Sequence, residues 1–481
     1  MNNYHILPFN HHKLNDFYVI TNDIGEFAFL DENVFKDFIQ NRLSNTSDKF
    51  YELESRFFVS KESINDELID NYAIRLRTKK QFIFESTSLH MIILTLRCNQ
   101  SCKYCHASAS SQDNNSDIDL DIETAQKTVD FILSSPSEYL KIEFQGGEPT
   151  LNFETIKYIV QYTNQTKPSD KFIEYVICSN LFDLPNEQIN FYIENNIAIS
   201  TSLDGPKDIH DSCRVSNNNE GTYENILKNI QILRTNNTEP SALLTVTGNN
   251  IDKLKDVIMH YIAAGFKSIF IRSLNPYGKA EENKFVSQYS GEDFITNYIS
   301  ALEYIIELNR KGTDFTEEYA SILLSRILTP FSSGFVDLQS PTGAAICGLI
   351  YDTAGNIFAS DESRMIYRMS SDDKLLLGNI YNDTRESIFT STKIEDLLNN
   401  SIIESEPHCA WCAYQPYCGS DPVRSYFETG HLHRNQSKSF LCKKNKALFN
   451  FIFSKLKSND PFIIDLFHAW ATGRRYSEIN G

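Results

Sequence analysis

Leu89-His90-Met91-Ile92-Ile93-Leu94-Thr95-Leu96-Arg97-Cys98-Asn99-Gln100-Ser101-Cys102-Lys103-Tyr104-Cys105 joins an apolar run to three closely spaced cysteines. The run 89–96 is short and aliphatic, so it reads as a buried strand. It is followed by 121–133, where Ala125, Val129, Ile132 and Leu133 recur at helical spacing. The alternation continues through strand 139–145, helix 153–164, strand 172–178, helix 186–195 and strand 197–203. Helix 222–235, strand 242–247, helix 250–264 and strand 267–272 complete it. Such an order predicts an α/β fold, a parallel sheet wrapped by helices, which right-handed crossovers curl into a barrel or partial barrel. In these folds the chemistry sits at the C-terminal ends of the strands, and every polar motif below falls at such an end.

The 481-residue chain carries 63 Asp and Glu against 45 Lys and Arg, a formal charge of −18. That excess argues against broad nucleic-acid binding, which needs a positive field. One stretch departs from it: between Lys443 and Arg475 seven basic residues face only Asp460 and Asp465. This reads as a solvated helix face or a tail packed on an acidic body. No apolar run approaches the ~20 residues that span a bilayer, so no membrane association is expected. The start Met1-Asn2-Asn3-Tyr4-His5 lacks the features of a signal peptide, and a cytoplasmic location is expected. Disulfides are rare there, so ten cysteines point first to metal ligation.

Outside the alternation, 17–20 and 26–30 flank a turn at 21–25, Asp31 is placed to cap a helix at 33–43, and a second helix is expected at 61–71. Helices are expected at 291–310 and 317–328, before a cysteine-rich remainder of short strands and loops. The expected division is an N-terminal α+β unit (1–85), a barrel (86–290), and a helical linker with a C-terminal extension (291–481).

Thiolates are soft ligands suited to iron–sulfur clusters. Cys98, Cys102 and Cys105, spaced C-x3-C-x2-C, can bind three irons of a cubane from one loop and leave the fourth open. A zinc knuckle is the competing reading, although zinc sites usually show four ligands in two pairs. The loop resembles the CxxxCxxC motif of radical S-adenosylmethionine (SAM) enzymes. The resemblance implies a [4Fe-4S] cluster on Cys98, Cys102 and Cys105, SAM chelated at the open iron, and reductive cleavage to a 5′-deoxyadenosyl radical. It also implies a partial (β/α)6 TIM-type radical SAM barrel, with Tyr104 lying against the adenine. Gly146-Gly147-Glu148-Pro149 after the second strand resembles the GGEP motif that binds the SAM amino group. Ser179-Asn180 after the third is similar to a Thr-Asn pair near the SAM ribose and carboxylate. Ser202-Leu203-Asp204-Gly205-Pro206, His210-Asp211, Arg214 and Gly221-Thr222-Tyr223 resemble a run of radical SAM peptide maturases. There Ser202 is expected to contact SAM, Asp204 to act as a proton acceptor in the barrel mouth, and Arg214 to bind the SAM carboxylate or a substrate acid. A purely structural role, in which His210, Asp211 and Arg214 pin the loop by ion pairs, stands beside this.

Cys409, Cys412 and Cys418 form a C-x2-C-x5-C group, and Cys442 follows. Four thiolates can fully ligate a cubane, or a zinc ion. The group resembles the core of the SPASM extension of peptide-modifying radical SAM enzymes, which implies an auxiliary [4Fe-4S] cluster. Relatives with two auxiliary clusters have further cysteines where this chain has Ser360 and Pro422, so Cys347 stands alone and one auxiliary cluster is expected.

Leu7-Pro8-Phe9-Asn10, the hairpin 22–30, Ser88-Leu89-His90 and Ser360-Asp361-Glu362-Ser363-Arg364-Met365 resemble maturases of the His-Xaa-Ser peptide system (HxsB-like). This implies a ribosomally made precursor peptide as substrate, crosslinked or oxidised, with residues 1–85 gripping its leader. It also implies an external one-electron reductant of flavodoxin or ferredoxin type. The rival readings are a sulfatase-type formylglycine-generating maturase, and a non-catalytic iron–sulfur or zinc peptide-binding scaffold.

Overall fold

The computed structural model describes residues 4–107, 118–433 and 436–480. Six strands lie side by side and parallel, in chain order: β1 (Leu89–Thr95), β2 (Tyr139–Gly146), β3 (Phe172–Cys178), β4 (Ala198–Ser202), β5 (Ser241–Thr245) and β6 (Ser268–Arg272). The helices between them are α1 (Ile122–Leu133), α2 (Phe153–Thr166), α3 (Asn186–Glu194), α4 (Lys207–Cys213), α5 (Tyr223–Thr235) and α6 (Leu254–Ala263). All but α4 follow the expected alternation. The sequence of α4, KDIHDSC, is too short and polar to carry a helical period.

Alternation along each strand explains how the sheet makes a site. Leu140, Ile142, Phe144, Tyr175, Ile177, Ile199, Leu244, Ile269 and Ile271 are buried in one continuous core with apolar residues of the helices. The intervening residues, among them Glu143, Gln145, Cys178, Ser202, Thr245 and Arg272, are only partly covered and line the concave face.

The sheet stays open and is longer than the six strands. Beyond β6 lies β7 (Thr316–Glu317), between α7 (Gly291–Arg310) and α8 (Glu318–Leu328). On the far side β8 (Gly348–Tyr351) runs parallel to β1, followed by antiparallel β9 (Asn356–Phe358) and β10 (Leu376–Asn379). The C-terminal extension therefore enters the barrel sheet itself, where the sequence suggested only short strands beside it. Pairing β8 to β1 covers an edge that otherwise leaves backbone donors and acceptors unpaired. The result is an α/β fold, an open parallel barrel sheet with a C-terminal extension.

Glu317 bolts β6 to both flanking helices. Its carboxylate accepts from the amides of Ile271 at 3.1 Å and Ala320 at 2.6 Å, and from the Tyr298 hydroxyl. Burial pushes this acid up to about 7. The folded state then holds a proton that the unfolded chain sheds, so stability should fall as pH rises from about 4.5 to about 7. Urea denaturation at about pH 5 and about pH 8 should reveal a loss of roughly 1–3 kcal/mol that Glu317→Gln removes.

The N-terminal stretch forms a three-stranded antiparallel sheet, Asn10–Leu14, Phe17–Thr21 and Phe27–Asp31. The expected hairpin is present, closed by the Gly25 amide on the Asn22 carbonyl at 2.8 Å. The strand before it, NHHKL, is too polar to be read as one. Asp31 precedes the helix Glu32–Ile39 without a side-chain capping bond, and the helix ends at Ile39 rather than at 43. The helix expected at 61–71 is present as Asp66–Lys79, starting five residues later and running longer, and a further helix, Asp48–Ser55, was not expected. Ser47 and Asn65, whose side chains accept from Phe50 and Leu68 amides, fix their starts. One face of the sheet joins a separate core with Phe38, Phe50, Leu53 and Phe58. The other packs on the C-terminal region, Phe27 meeting Phe453 at 5.2 Å.

Candidate active site

Cys98, Cys102 and Cys105 leave the C-terminal end of β1 on a loop held from two sides. The Ser101 and Lys103 amides donate to the carbonyls of Val215 and Cys213, at 2.8 and 3.0 Å. Donors gather at Cys98: the Gln100 amide is 3.4 Å and Asn180 Nδ2 3.8 Å from its sulfur. Asn99 Nδ2 and Gln100 Nε2 are buried there without a partner among the described residues. Orphaned donors beside three thiols suit the sulfides and thiolates of a bound cluster, which accept hydrogen bonds. Burial pushes Cys98 up, with Glu148 adding to it, and pushes Cys102 up to about 12 against the pull of Arg214. Such thiols ionise when a cation arrives. Among the described residues no three His, Cys, Asp or Glu side chains converge on a point fit for a single ion. Thiolates of a cubane bind different irons and need no common point.

The glycine pair has a different immediate cause from the one its motif suggests. A Cβ on Gly146 meets the Thr95 carbonyl oxygen at 2.2 Å, and one on Gly147 meets that of Arg97 at 2.2 Å. The bare side of both glycines faces the backbone that leads into the cysteine loop. The Gly147 and Glu148 amides donate to those same carbonyls at 2.8 Å. Gly147→Ala should therefore displace the loop, costing roughly 1–3 kcal/mol and at least half of the iron retained at the site. Thermal unfolding and an iron assay check this.

Glu148 ties the ends of β2 and β3. It is 1% exposed and accepts from Ser179 Oγ and the Asn180 amide, each at 2.8 Å, and from the Thr150 amide at 3.2 Å. Burial raises its pKa, opposed by these bonds. Pro149 is buried and opens a short 3-10 turn. Asn180 Nδ2 reaches Asn99 Oδ1 at 2.8 Å, joining this network to the cysteine loop. Ser202 ends β4 on the concave face, and its hydroxyl has no hydrogen bond to the described residues.

Asp204, Arg214 and Tyr104 meet in one buried cluster. Arg214 Nε lies 2.9 Å from Asp204 Oδ2, and the Tyr104 hydroxyl donates to the same oxygen. Asp204 Oδ1 accepts from the Thr245 amide at 3.4 Å. Asp204 is 1% exposed and holds a cation, so it anchors the loop rather than standing open as a proton acceptor. Arg214 is spent on Asp204 and lies 5.2 Å over the Tyr104 ring. That ring, edged by Phe285, is covered rather than open to an adenine. His210 and Asp211 pin the same loop, but by hydrogen bonds: His210 Nδ1 takes the Asp204 amide, and Asp211 Oδ1 the amides of Thr222 and Tyr223.

Helix α9 (Asp361–Ser370) brings groups that spacing did not reveal. Ser360 caps it, its hydroxyl accepting from the Ser363 amide at 3.2 Å. Asp361 lies 2.7 Å from Arg364 and 3.5 Å from His106, next to Cys105. Burial would raise the Asp361 carboxyl, but Arg364 and His106 hold it below the usual range. Glu362 is 3.5 Å from Arg272 at the end of β6. The only sequence signal was the 360–365 run itself.

Cys409, Cys412, Cys418 and Cys442 line one cavity, with His408, Asn445, Lys446 and Phe449 among its other walls. Cys442 sits in the first turn of α10 (Phe440–Lys457), its amide capped by Ser439 Oγ at 3.0 Å. Asn445 Nδ2 points at Cys418 Sγ from 3.6 Å. Burial, with neighbouring cysteines adding to it, pushes Cys409 up to about 12 and, against the bond from Asn445, Cys418 up to about 11. Four thiols around one cavity, whose thiolates would repel one another, are a donor set that a cationic cluster completes. Cys347 is elsewhere, before β8, its thiol on Gln339 at 3.4 Å.

Residues 92–261, the stretch from β1 to α6, match the radical SAM superfamily. An uncharacterized protein of Methanocaldococcus jannaschii is 36% identical over 192 residues, 40% of this chain and 64% of that one. The chain thus spans under two thirds of that relative. A cysteine-type anaerobic sulfatase-maturating enzyme of Clostridium novyi is 23% identical over 377 residues, 77% of this chain and 96% of the enzyme. Among solved structures, anSMEcpe with bound AdoMet and Cp18Cys peptide superposes with a TM-score of 0.66 at 21% identity, over 80% of this chain and 99% of that one. Streptococcus suis SuiB bound to precursor peptide SuiA superposes at 0.55 and 14% identity, over 91% and 99%. These likenesses establish the fold.

Proposed function

We propose that this chain is a radical SAM enzyme that modifies a ribosomally made precursor peptide, by crosslinking or oxidising a side chain. The observation that carries the reading is the cysteine loop after β1, with Asn99 and Gln100 donors orphaned beside it. When bound, a [4Fe-4S] cluster on Cys98, Cys102 and Cys105 supplies the electron that cleaves SAM to a hydrogen-abstracting radical. The chain's share is positioning. Glu148, Ser179 and Asn180 lock the ends of β2 and β3 against the loop, and Gly146 and Gly147 let those backbones close. The concave face, with Ser202 free to donate, receives the substrates. SAM contacts are assigned to Gly146–Pro149, Ser179, Asn180 and Ser202.

Cys409, Cys412, Cys418 and Cys442 are read as ligands of one auxiliary cluster. Residues 1–85 are read as a leader-binding unit, because their small sheet offers edge strands that can pair with a peptide. The peptide class is supported by the sulfatase-maturating relatives and by the peptide-bound neighbours. A sulfatase-type maturase is the second reading, favoured by those relatives alone. Against it, Ser360 caps α9 and Pro422 begins a helix where extra ligands are expected. Among the described residues no helix is long and apolar enough to cross a membrane; a cytoplasmic site of action is part of this proposal. The test is to incubate reconstituted, dithionite-reduced protein with SAM and the peptide encoded beside its gene. A peptide product lighter by about two hydrogens, with 5′-deoxyadenosine, supports the reading. An unchanged peptide rejects the peptide assignment.

A further inference from the structure

The chain has two tryptophans, and they are treated in opposite ways. Trp470 is 1% exposed in the core, whereas Trp411, between Cys409 and Cys412, is 80% exposed. Single exposed apolar side chains are ordinary, so what marks Trp411 is its place between two cysteines.

Its surroundings are as distinctive. The four-cysteine cavity adjoins a surface pocket lined by Trp411, His11, His12 and Lys446, and His408, Cys412 and Lys446 line both. No Asp or Glu lines either pocket. Glu406, just before the group, is buried and paired with His433. Lys443 and Lys446, both exposed in the first turns of α10, have no salt bridge to the described residues. They open the basic stretch that stood out in the sequence. On a chain of net charge −18 this is a local pair of unpaired lysines beside one aromatic anchor, with His12 held neutral by burial and by Lys446.

We infer that this face, Trp411 with Lys446, Lys443, His12 and His408, docks an acidic one-electron carrier protein of ferredoxin or flavodoxin class. The inference rests on the reading of Cys409, Cys412, Cys418 and Cys442 as cluster ligands. Redox encounters are small, electrostatically steered contacts, which an exposed ring beside two unpaired lysines fits. Nucleic acid needs a longer basic track than two adjoining pockets provide. The N-terminal sheet reinforces the site: Asn10 Nδ2 and Thr21 Oγ1 hold the Ala410 and Ala413 carbonyls at 3.1 and 2.6 Å, and His12 packs on Tyr414. The loop that presents Trp411 is therefore fixed.

The test uses reconstituted holoprotein titrated calorimetrically with two probes, an acidic plant-type [2Fe–2S] ferredoxin and an FMN flavodoxin. Wild type should bind at least one of them, with affinity falling steeply between about 50 and about 200 mM salt. Trp411→Ala and Lys443→Glu should each weaken binding about tenfold or more. Iron content and dithionite-driven SAM cleavage should stay at wild-type level in both. Carrier affinity unchanged in both variants, or no binding of either probe to wild type, overturns the inference. So does a loss confined to precursor-peptide binding, which would make this a peptide surface. Failure of dithionite-driven cleavage in wild type instead rejects the enzymatic reading, and carrier titration is scored independently of it.

Discussion

Cys102→Ala, reconstituted anaerobically, should retain about four irons per chain where wild type holds about eight, and should lose SAM cleavage altogether. The reason lies in the separation of the two thiol groups. Cys98, Cys102 and Cys105 sit at the end of β1, while Cys409, Cys412, Cys418 and Cys442 line a cavity walled by α10. Cys412→Ala should also drop to about four irons but keep dithionite-driven SAM cleavage, because the loop after β1 is intact. Wild-type counts of about four or about twelve would each sink the assignment of one auxiliary cluster. Iron analysis beside a 5′-deoxyadenosine assay separates these cases.

Arg214→Met should cost about 3–5 kcal/mol of stability, because it leaves the Asp204 carboxylate buried without its cation. The side chains of Arg214 and Asp204 are 10% and 2% exposed, so solvent screens the pair little. Asp204→Asn alone should cost a comparable amount. The double variant should recover most of the loss, since neither charge then lies unpaired. Denaturant unfolding of the three variants forms the cycle. If the single variants were individually harmless, the ion pair would not be what holds the loop 204–214 under the cysteines.

How much of this was legible in the sequence depended on range. The six parallel strands and five of their helices were, because each carries its own period of buried residues. The pairing of β8 with β1 was not: it joins residues 348–351 to 89–92, and no local pattern in GLIY names its partner. NHHKL and KDIHDSC were missed for a related reason, being held by neighbours rather than by an apolar period. In the site, residue types and strand-end positions were legible, since a motif states both. Partners were not. For Arg214 a loop-pinning role stood beside an outward one, but spacing in a chain does not reveal that its partner is Asp204, with Nε and Oδ2 closing to 2.9 Å. For the glycine pair, the motif did not show the close approach to a backbone segment some fifty residues earlier, which requires glycine whether or not a ligand also binds there.

The most direct test is 5′-deoxyadenosine release from SAM by the anaerobically reconstituted, dithionite-reduced full chain. The cysteine loop after β1 predicts release in wild type and in Cys412→Ala, and none in Cys98→Ala, Cys102→Ala or Cys105→Ala. A wild-type protein loaded with about eight irons that binds SAM yet releases no 5′-deoxyadenosine would contradict it.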